Sequence, residues 1–269
     1  MAEFDLFTNQ PKLPNIDLDR YLLRLKCQRE RVPSLRYLKL LHRSHLFQIP
    51  FENLDIHMGN EIILDVQKIY KKIVLQKRGG FCYELNGLFF HLLSQLGFHC
   101  HLISARTHEN DQLGPEFDHA AILVYLDDQT YLVDVGFGDL FLEPKLIQPG
   151  KVQMDYNKYF RLDKNMDGKY TVLASGDSFE YVVKYVFTKK ERQFIEFIDM
   201  CRYHQVDERS PFTKKKMITR ATPRGRITLT DTKLAATISG KKEEMTILNH
   251  DEFRVKLYQH FGIRYVRNH

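Results

Sequence analysis

The chain has 269 residues, of which 40 are basic and 34 acidic, for a formal net charge of +6; hydrophobic residues make up 43% and charged residues 28%. This length carries a prior of roughly two domains and allows a sizeable core, and the near-average composition excludes a disordered chain, a collagen-like repeat and a disulfide-stapled mini-protein. The modest basic surplus favours an anionic ligand without separating nucleic acid from a phosphorylated cofactor.

Met1 to Leu6 carries early acids and no basic-then-apolar leader. Apolar runs such as Ala120 to Leu126 are too short to span a bilayer, so a cytoplasmic protein with no membrane partner is expected. Cys27, Cys82, Cys100 and Cys201 lie far apart with no C-x-x-C pair. That spacing argues against a disulfide framework and against a zinc ribbon or finger.

The first third reads as helical. Asp17 caps a stripe of Leu18, Tyr21, Leu22 and Leu25, and Ser34 opens a second helix with Leu35, Leu38 and Leu41 or His42 on one face. Asp65 opens a third with Val66, Ile69, Tyr70, Ile73 and Val74 inward. A fourth runs from about Cys82 to Leu96 and stops at Gly97. From His99 the pattern turns to short alternating runs at 101–106, 120–126 and 130–135, then a hairpin joining 159–162 to 170–173, a strand at 181–187 and a helix near 191–201. The last third holds strand-like runs at 217–221, 226–229 and 245–248. It ends in a helix capped by Asn249 and stopped by Gly262. An α+β chain in three pieces is expected, with a helical head (1–98), an antiparallel β middle (99–206) and a mixed tail (207–269).

The segment Arg78-Gly79-Gly80-Phe81-Cys82 places a thiol at the start of an amphipathic helix. Unpaired N–H groups and the helix dipole favour negative charge there and can lower a thiol pKa. The two glycines let the backbone approach a substrate or take positive φ. The plain alternative is an ordinary loop-to-helix junction with an inert cysteine. A nucleophilic thiol needs a base, and the base an orienting acid. His119 enters one strand, and Asp134 ends the next inside Leu132-Val133-Asp134-Val135, where a carboxylate needs a buried partner. Counting from the turn, Asp134 falls opposite residue 122 or 123, so contact with His119 requires a bulge or splay. Alternatively, Asp134 caps the turn that follows.

Arg78-Gly79-Gly80-Phe81-Cys82, then His119, then Val133-Asp134-Val135-Gly136-Phe137-Gly138 closely resembles the arylamine N-acetyltransferase family. Pro50-Phe51-Glu52-Asn53 upstream is similar to that family's Pro-Phe-Glu-Asn element, and Thr222-Pro223 with Gly225-Arg226 and Phe261-Gly262-Ile263 to its C-terminal region. The resemblance implies a helical bundle, a central antiparallel β-barrel and a C-terminal α/β lid, with a cysteine-protease-like Cys-His-Asp triad of Cys82, His119 and Asp134. It implies acetyl-CoA as co-substrate with no metal, and ping-pong transfer through a thioester to an arylamine, hydrazine or related acceptor.

Phe137, Gly136 and Phe51 are the candidate substrate-binding residues, with core packing the alternative for both aromatics. Arg78 and Glu52 read as a structural ion pair. In the lid, Lys214 and Lys216 are the candidate contacts to CoA phosphates; the alternative is a solvated face. His99-Cys100-His101 reads as structural, because alternation puts Cys100 on the opposite face from the two histidines. Residues 106 to 119 are expected to form a mobile loop that tunes acceptor choice. A transglutaminase-like or papain-like thiol hydrolase is the competing function. No RRM, zinc-finger or helix-turn-helix signature supports a nucleic-acid partner.

Overall fold

The computed structural model describes residues 15–109 and 111–265; the Met1 to Leu6 segment lies outside the described residues. Helices form where a cap precedes an apolar stripe. Helix α1 (Leu18–Leu25) begins where the Asp17 carboxylate accepts the Arg20 N–H, and α2 (Leu35–Gln48) where the Ser34 hydroxyl accepts that of Tyr37. A short strand β1 (Phe51–Glu52) and helix α3 (Leu54–Met58) follow. Helix α4 (Val66–Tyr70) starts at Asp65, then widens into a π-helical turn over Lys71–Leu75. The expected stripe still buries Ile69, Tyr70, Ile73 and Val74. Helix α5 (Cys82–Gln95) is buried on nearly all sides and is the axis of the helical core.

The middle of the chain forms one antiparallel sheet curled into a barrel. Its strands are β2 (His99–Glu109), β3 (Gln112–Leu113), β4 (His119–Leu126), β5 (Gln129–Val133), β6 (Lys145–Leu146), β7 (Val152–Asp155), β8 (Lys158–Lys164), β9 (Tyr170–Ser175) and β10 (Val182–Phe187). The order is β6-β5-β4-β2-β10-β9-β8-β7, with β3 on β2. Asp127 and Asp128, both at positive φ (49° and 59°), make the tight turn between β4 and β5. Side chains stitch the two edge strands. The Gln153 amide donates to the Leu146 carbonyl and accepts its N–H, both at 2.9 Å, and Lys145 Nζ lies 2.6 Å from Asp155 Oδ2. Phe141, Phe160, Leu162 and Tyr185 fill the interior.

A 3₁₀ turn over Phe194–Phe197 leads into α6 (Ile198–Val206) and α7 (Pro211–Lys214). Strands β11 (Met217–Thr222), β12 (Gly225–Thr230), β13 (Lys233–Ile238) and β14 (Lys241–Thr246) are then covered by α8 (His250–Phe261). Their sheet runs β1-β11-β12-β13-β14, so Phe51 and Glu52 from the helical head pair with Thr219 and Ile218. The fold class is thus α+β, with a helical head, a barrel and an α/β layer. Among the described residues no helix is long and apolar enough to cross a membrane.

Two expectations fail. Residues 106–119 are not a free loop: β2 runs on to Glu109, His108 and Glu109 pair with Leu113 and Gln112, and the Gly114 N–H donates to the Thr107 carbonyl at 2.7 Å. Backbone pairing and the Asp118 carboxylate, which accepts from Thr107, fasten this arm. The strand expected at 245–248 lies instead at β14, while β13 is new. All six residues of β14 are exposed and four are charged, so no apolar alternation marks it, and its charges blunt a sheet edge.

Candidate active site

The segment before α5 is anchored by backbone and charge. The Glu52 N–H donates to the Gly80 carbonyl at 2.9 Å, and a side chain at Gly79 would collide with the Pro50 carbonyl oxygen. Close approach of the protein's own backbone, not positive φ, is what requires glycine there. Arg78 pairs with Glu52 at 2.8 Å and Asp55 at 3.1 Å, the structural role read from the sequence. Lys72, delivered by the π-helical turn, reaches Asp55 at 2.6 Å and Glu84 at 2.8 Å. Glu84 in turn accepts the Phe81 N–H at 3.2 Å, in place of the side-chain cap that Phe81 lacks. The start of α5, where Cys82 sits, is therefore tied to a buried network of five charges.

His119 Nε2 lies 2.8 Å from Asp134 Oδ2, with both side chains buried. The register explains the contact. Ile122 pairs with Val133, the last residue of β5, so Asp134 falls level with Ala121 but has left the ladder. Its N–H goes to His42 Nε2 (3.3 Å), and the Val135 N–H to the Asn86 side-chain oxygen (2.9 Å). The splay required by the sequence is made by side chains that replace strand partners. Asp134 Oδ1 accepts from Asn86 Nδ2 (2.9 Å), Gly136 N (2.9 Å) and Phe137 N (3.1 Å), so the carboxylate caps the turn and holds the imidazole at once. Burial alone would raise the Asp134 pKa. The His119 ring and the Asn86 and Gly136 hydrogen bonds outweigh it and hold the carboxyl below its usual range. An ionised carboxylate only accepts, so Nε2 carries the His119 proton and Nδ1 keeps a lone pair.

Cys82 and His119 line a common cavity of about 900 Å³, together with Phe51, Gly136, Phe137 and Phe212. The Phe137 ring stands edge-on to His119 at 5.4 Å (86°). Burial pushes the Cys82 thiol well above its ordinary pKa, the Asp118 and Asp134 carboxylates add to this, and the Ala120 N–H opposes it. The lowering expected from the helix N-terminus is overturned, because desolvation and nearby negative charge win. The thiol keeps its proton until a base takes it.

The three triad candidates and the three substrate candidates thus meet in one place, with Asp134 behind His119 and the others on the cavity wall. The two lysines do not. Lys216 pairs with Asp231 at 2.6 Å and packs its ammonium over Phe253 and Tyr265, and Lys214 is exposed away from the cavity. The basic side chains on the cavity are Lys184, Arg209, Lys215 and Arg226. Just ahead of β11, Lys215 lines the cavity, as Met217 does at the start of the strand, whereas Lys216 packs over Phe253 of α8. Sequence reading missed Asn86, although it lies four residues after Cys82 on the same helical face. His99 and His101 both pack on Tyr125, and among the described residues no group of three His, Cys, Asp or Glu side chains is placed to hold a metal ion.

The N-acetyltransferase family profile matches residues 34–269. The chain is 32% identical to the proansamycin X synthase of Amycolatopsis mediterranei, covering 88% of this chain and 94% of that one. It is 31% identical to an arylamine N-acetyltransferase of Mycolicibacterium smegmatis, covering 92% of each. Among solved structures, an arylamine N-acetyltransferase from Bacillus cereus, described by its Cys-His-Glu catalytic triad, superposes with a TM-score of 0.86 at 27% identity, over 93% of this chain and all of that one.

Proposed function

Because the chain belongs to the arylamine N-acetyltransferase family, we propose that it moves an acetyl group from acetyl-CoA to an arylamine or hydrazine nitrogen by a ping-pong route through Cys82. The observation that carries this reading is the buried His119–Asp134 pair at 2.8 Å, on the same cavity as the Cys82 thiol. His119 Nδ1 takes the thiol proton as Sγ attacks the acetyl carbonyl. The C–S bond to CoA then breaks, and the imidazolium returns the proton to the departing CoA sulfur. In the second half the acceptor nitrogen attacks the thioester, the C–Sγ bond breaks, and His119 carries the amine proton to Sγ. Asp134 stabilises the imidazolium in both halves. The backbone N–H of Cys82, at the first turn of α5, serves the developing oxyanion.

The elevated thiol pKa fits this scheme. A buried thiol that stays protonated at rest is activated only when transfer to His119 creates the ion pair. Phe51, Gly136 and Phe137 are the proposed acceptor contacts. For the CoA phosphates, Lys184, Arg209, Lys215 and Arg226 replace Lys214 and Lys216 as the proposed partners, since they are the cations on the cavity.

The test is intact mass after incubation with acetyl-CoA and no acceptor, with Cys82→Ala alongside. The expected result is one acetyl group on the native chain alone, discharged by an arylamine. A native chain that stays unmodified while its thiol still alkylates would overturn the reading and favour a thiol hydrolase.

A further inference from the structure

One cation on the cavity is placed there by an irregularity in the barrel sheet. On β10, Val183 pairs with Leu173 and Tyr185 with Val172, so Lys184 is an extra residue with no partner on β9. On the other side, β10 pairs with β2 only from Tyr185 onward. Strict alternation would set Lys184 on the opposite face from Tyr185. The bulge defeats it. Tyr185 is buried with its ring 5.4 Å from that of His119 and 5.5 Å from that of Phe137, and Lys184 lines the cavity to which both of those residues belong. Re-aiming a side chain beside an active site is what a β-bulge does.

The Lys184 ammonium is unspent: among the described residues no hydrogen bond or ion pair engages it. Asp139, on the same wall, is taken by Lys158 at 2.9 Å and Arg226 at 3.2 Å. Burial works against the Asp139 carboxylate, but Arg226, Lys158 and Lys184 together hold it below its usual range. One carboxylate thus answers to three cations, and Lys184 is the one that does not touch it. The other acids do not change this balance. Asp118 is occupied by the Thr107 N–H and by His204 Nε2 at 3.2 Å, and Glu109 is exposed at the end of β2. Of the remaining cavity cations, Arg209 is paired with Asp207 at 2.8 Å and Lys215 is exposed. Lys184 alone is both half-buried and unpaired, and it adjoins the residue that packs on His119.

We propose that Lys184 selects acceptors with a carboxylate on the aromatic ring, its ammonium donating to that carboxylate while the amine nitrogen attacks the thioester on Cys82. A ring lying against Phe137 turns its amine toward His119 and leaves a substituent on its far side for Lys184. In a ping-pong cycle CoA has left before the acceptor enters, so a cation that meets the donor in the first half is free in the second. The preferred acceptors are therefore aminobenzoates. This deepens the acetyltransferase reading and rests on it for the transfer step.

The experiment measures kcat/KM for 3- and 4-aminobenzoate against the aminobenzamides of the same shape, in the native chain, Lys184→Met and Lys184→Arg. Each ratio is taken within one protein, so effects on thioester formation cancel, and the electronic difference between the two substituents is the same throughout. Methionine keeps the apolar stem of the lysine and removes the charge. The aminobenzoate preference is expected to fall by about tenfold or more in Lys184→Met for at least one isomer, as for loss of a charge-assisted hydrogen bond. Lys184→Arg should keep most of it. Equal ratios in the native chain and Lys184→Met would overturn the proposal. So would an equal loss in Lys184→Arg, which would trace the effect to shape and not to charge. Calorimetric binding of the same compounds to Cys82→Ala, with and without Lys184→Met, reads the subsite without acetyl transfer. If no thioester forms on the native chain, the acetyltransferase reading fails while this binding ratio still decides the subsite.

Discussion

A Cβ added to Gly136 would lie 2.6 Å from the Asn86 side-chain nitrogen and 2.9 Å from the Cys82 Cα, so the turn after Asp134 packs directly on the helix that carries Cys82. This contact sets the distance between the barrel side of the site and the helical side. Neither neighbour is the free end of a flexible chain: one is backbone, and Asn86 is held by three hydrogen bonds. Gly136→Ala must therefore push the two apart. The expected cost is about 1–3 kcal/mol in stability. Acetylation of Cys82 should slow by roughly a hundredfold, since small misplacements of reacting groups are that costly. Thermal melts and stopped-time mass spectra measure the two. A variant that acetylates at the native rate would show that the packing is not what positions the thiol.

Asn86 makes the second prediction. Its amide donates to the Ala120 carbonyl at 2.6 Å and to Asp134 Oδ1 at 2.9 Å, and accepts the Val135 N–H at 2.9 Å, all in the interior. Asn86→Ala leaves a buried carbonyl and a buried N–H without partners, each worth roughly 1–3 kcal/mol. Asn86→Asp keeps the acceptor for Val135 but sets a second carboxylate against Asp134. Repulsion between the two carboxylates favours a proton on one of them, so the stability deficit of Asn86→Asp against the native chain should shrink as the pH is lowered. A deficit that does not change with pH would show that the two side chains are not in electrostatic contact.

These residues show how far the sequence could be read. Elements with a cap and a stripe, such as Asp17 before Leu18, Tyr21 and Leu22, were legible because both signals are local. So was a thiol at a helix start after Arg78-Gly79-Gly80, whereas its proposed role as nucleophile came from the family resemblance. The His119–Asp134 contact was not derivable from strand counting, because it depends on where β5 ends. That end is fixed by Asn86 and His42, one on each of two distant helices. The same limit explains the lysines. Lys214, Lys215 and Lys216 read alike as a basic run, and only the pairing of β11 with Asp231 nearby decides that Lys216 is spent while Lys215 faces the cavity. The His204–Asp118 pair brings together residues 86 positions apart, with nothing local to mark either one.

Lys72 carries the third prediction. Burial works to strip the proton from its ammonium, but the Glu84, Glu52 and Asp55 carboxylates hold it above the usual lysine range. For Glu84 burial wins over Lys72, and its pKa is raised. Lys72→Met should destabilise the fold by about 3–5 kcal/mol, because it leaves buried carboxylates uncompensated. Adding Glu84→Gln removes one of those charges and keeps an acceptor for the Phe81 N–H. The double variant should recover much of the loss by urea denaturation. If it is no more stable than Lys72→Met, the ion pair is not what secures the start of α5.

The last prediction concerns acid. His42 is buried, its Nδ1 donates to the Leu142 carbonyl at 2.9 Å and its Nε2 accepts the Asp134 N–H at 3.3 Å, so the ring is neutral with no site for a second proton. Burial lowers its pKa from 6.5 to about 4, and burial does the same to His91. His45 shifts in the same direction. The unfolded chain takes up these protons near pH 6.5, whereas the folded chain resists until about pH 4. Between those values the unfolded state binds more protons, so stability is full above pH 6.5 and falls as the pH drops toward 4. His42 and His91 each contribute on the order of 3 kcal/mol across the window, at 1.36 kcal/mol per pKa unit. His42→Gln places an amide donor toward Leu142 and an acceptor toward the Asp134 N–H without a titrating group. Urea midpoints taken at intervals from pH 7 to pH 4 should therefore fall less steeply for His42→Gln than for the native chain. Parallel curves would show that protonation of His42 does not drive the acid loss, and the decline would then belong to His45, His91 and the carboxylates that lose their partners.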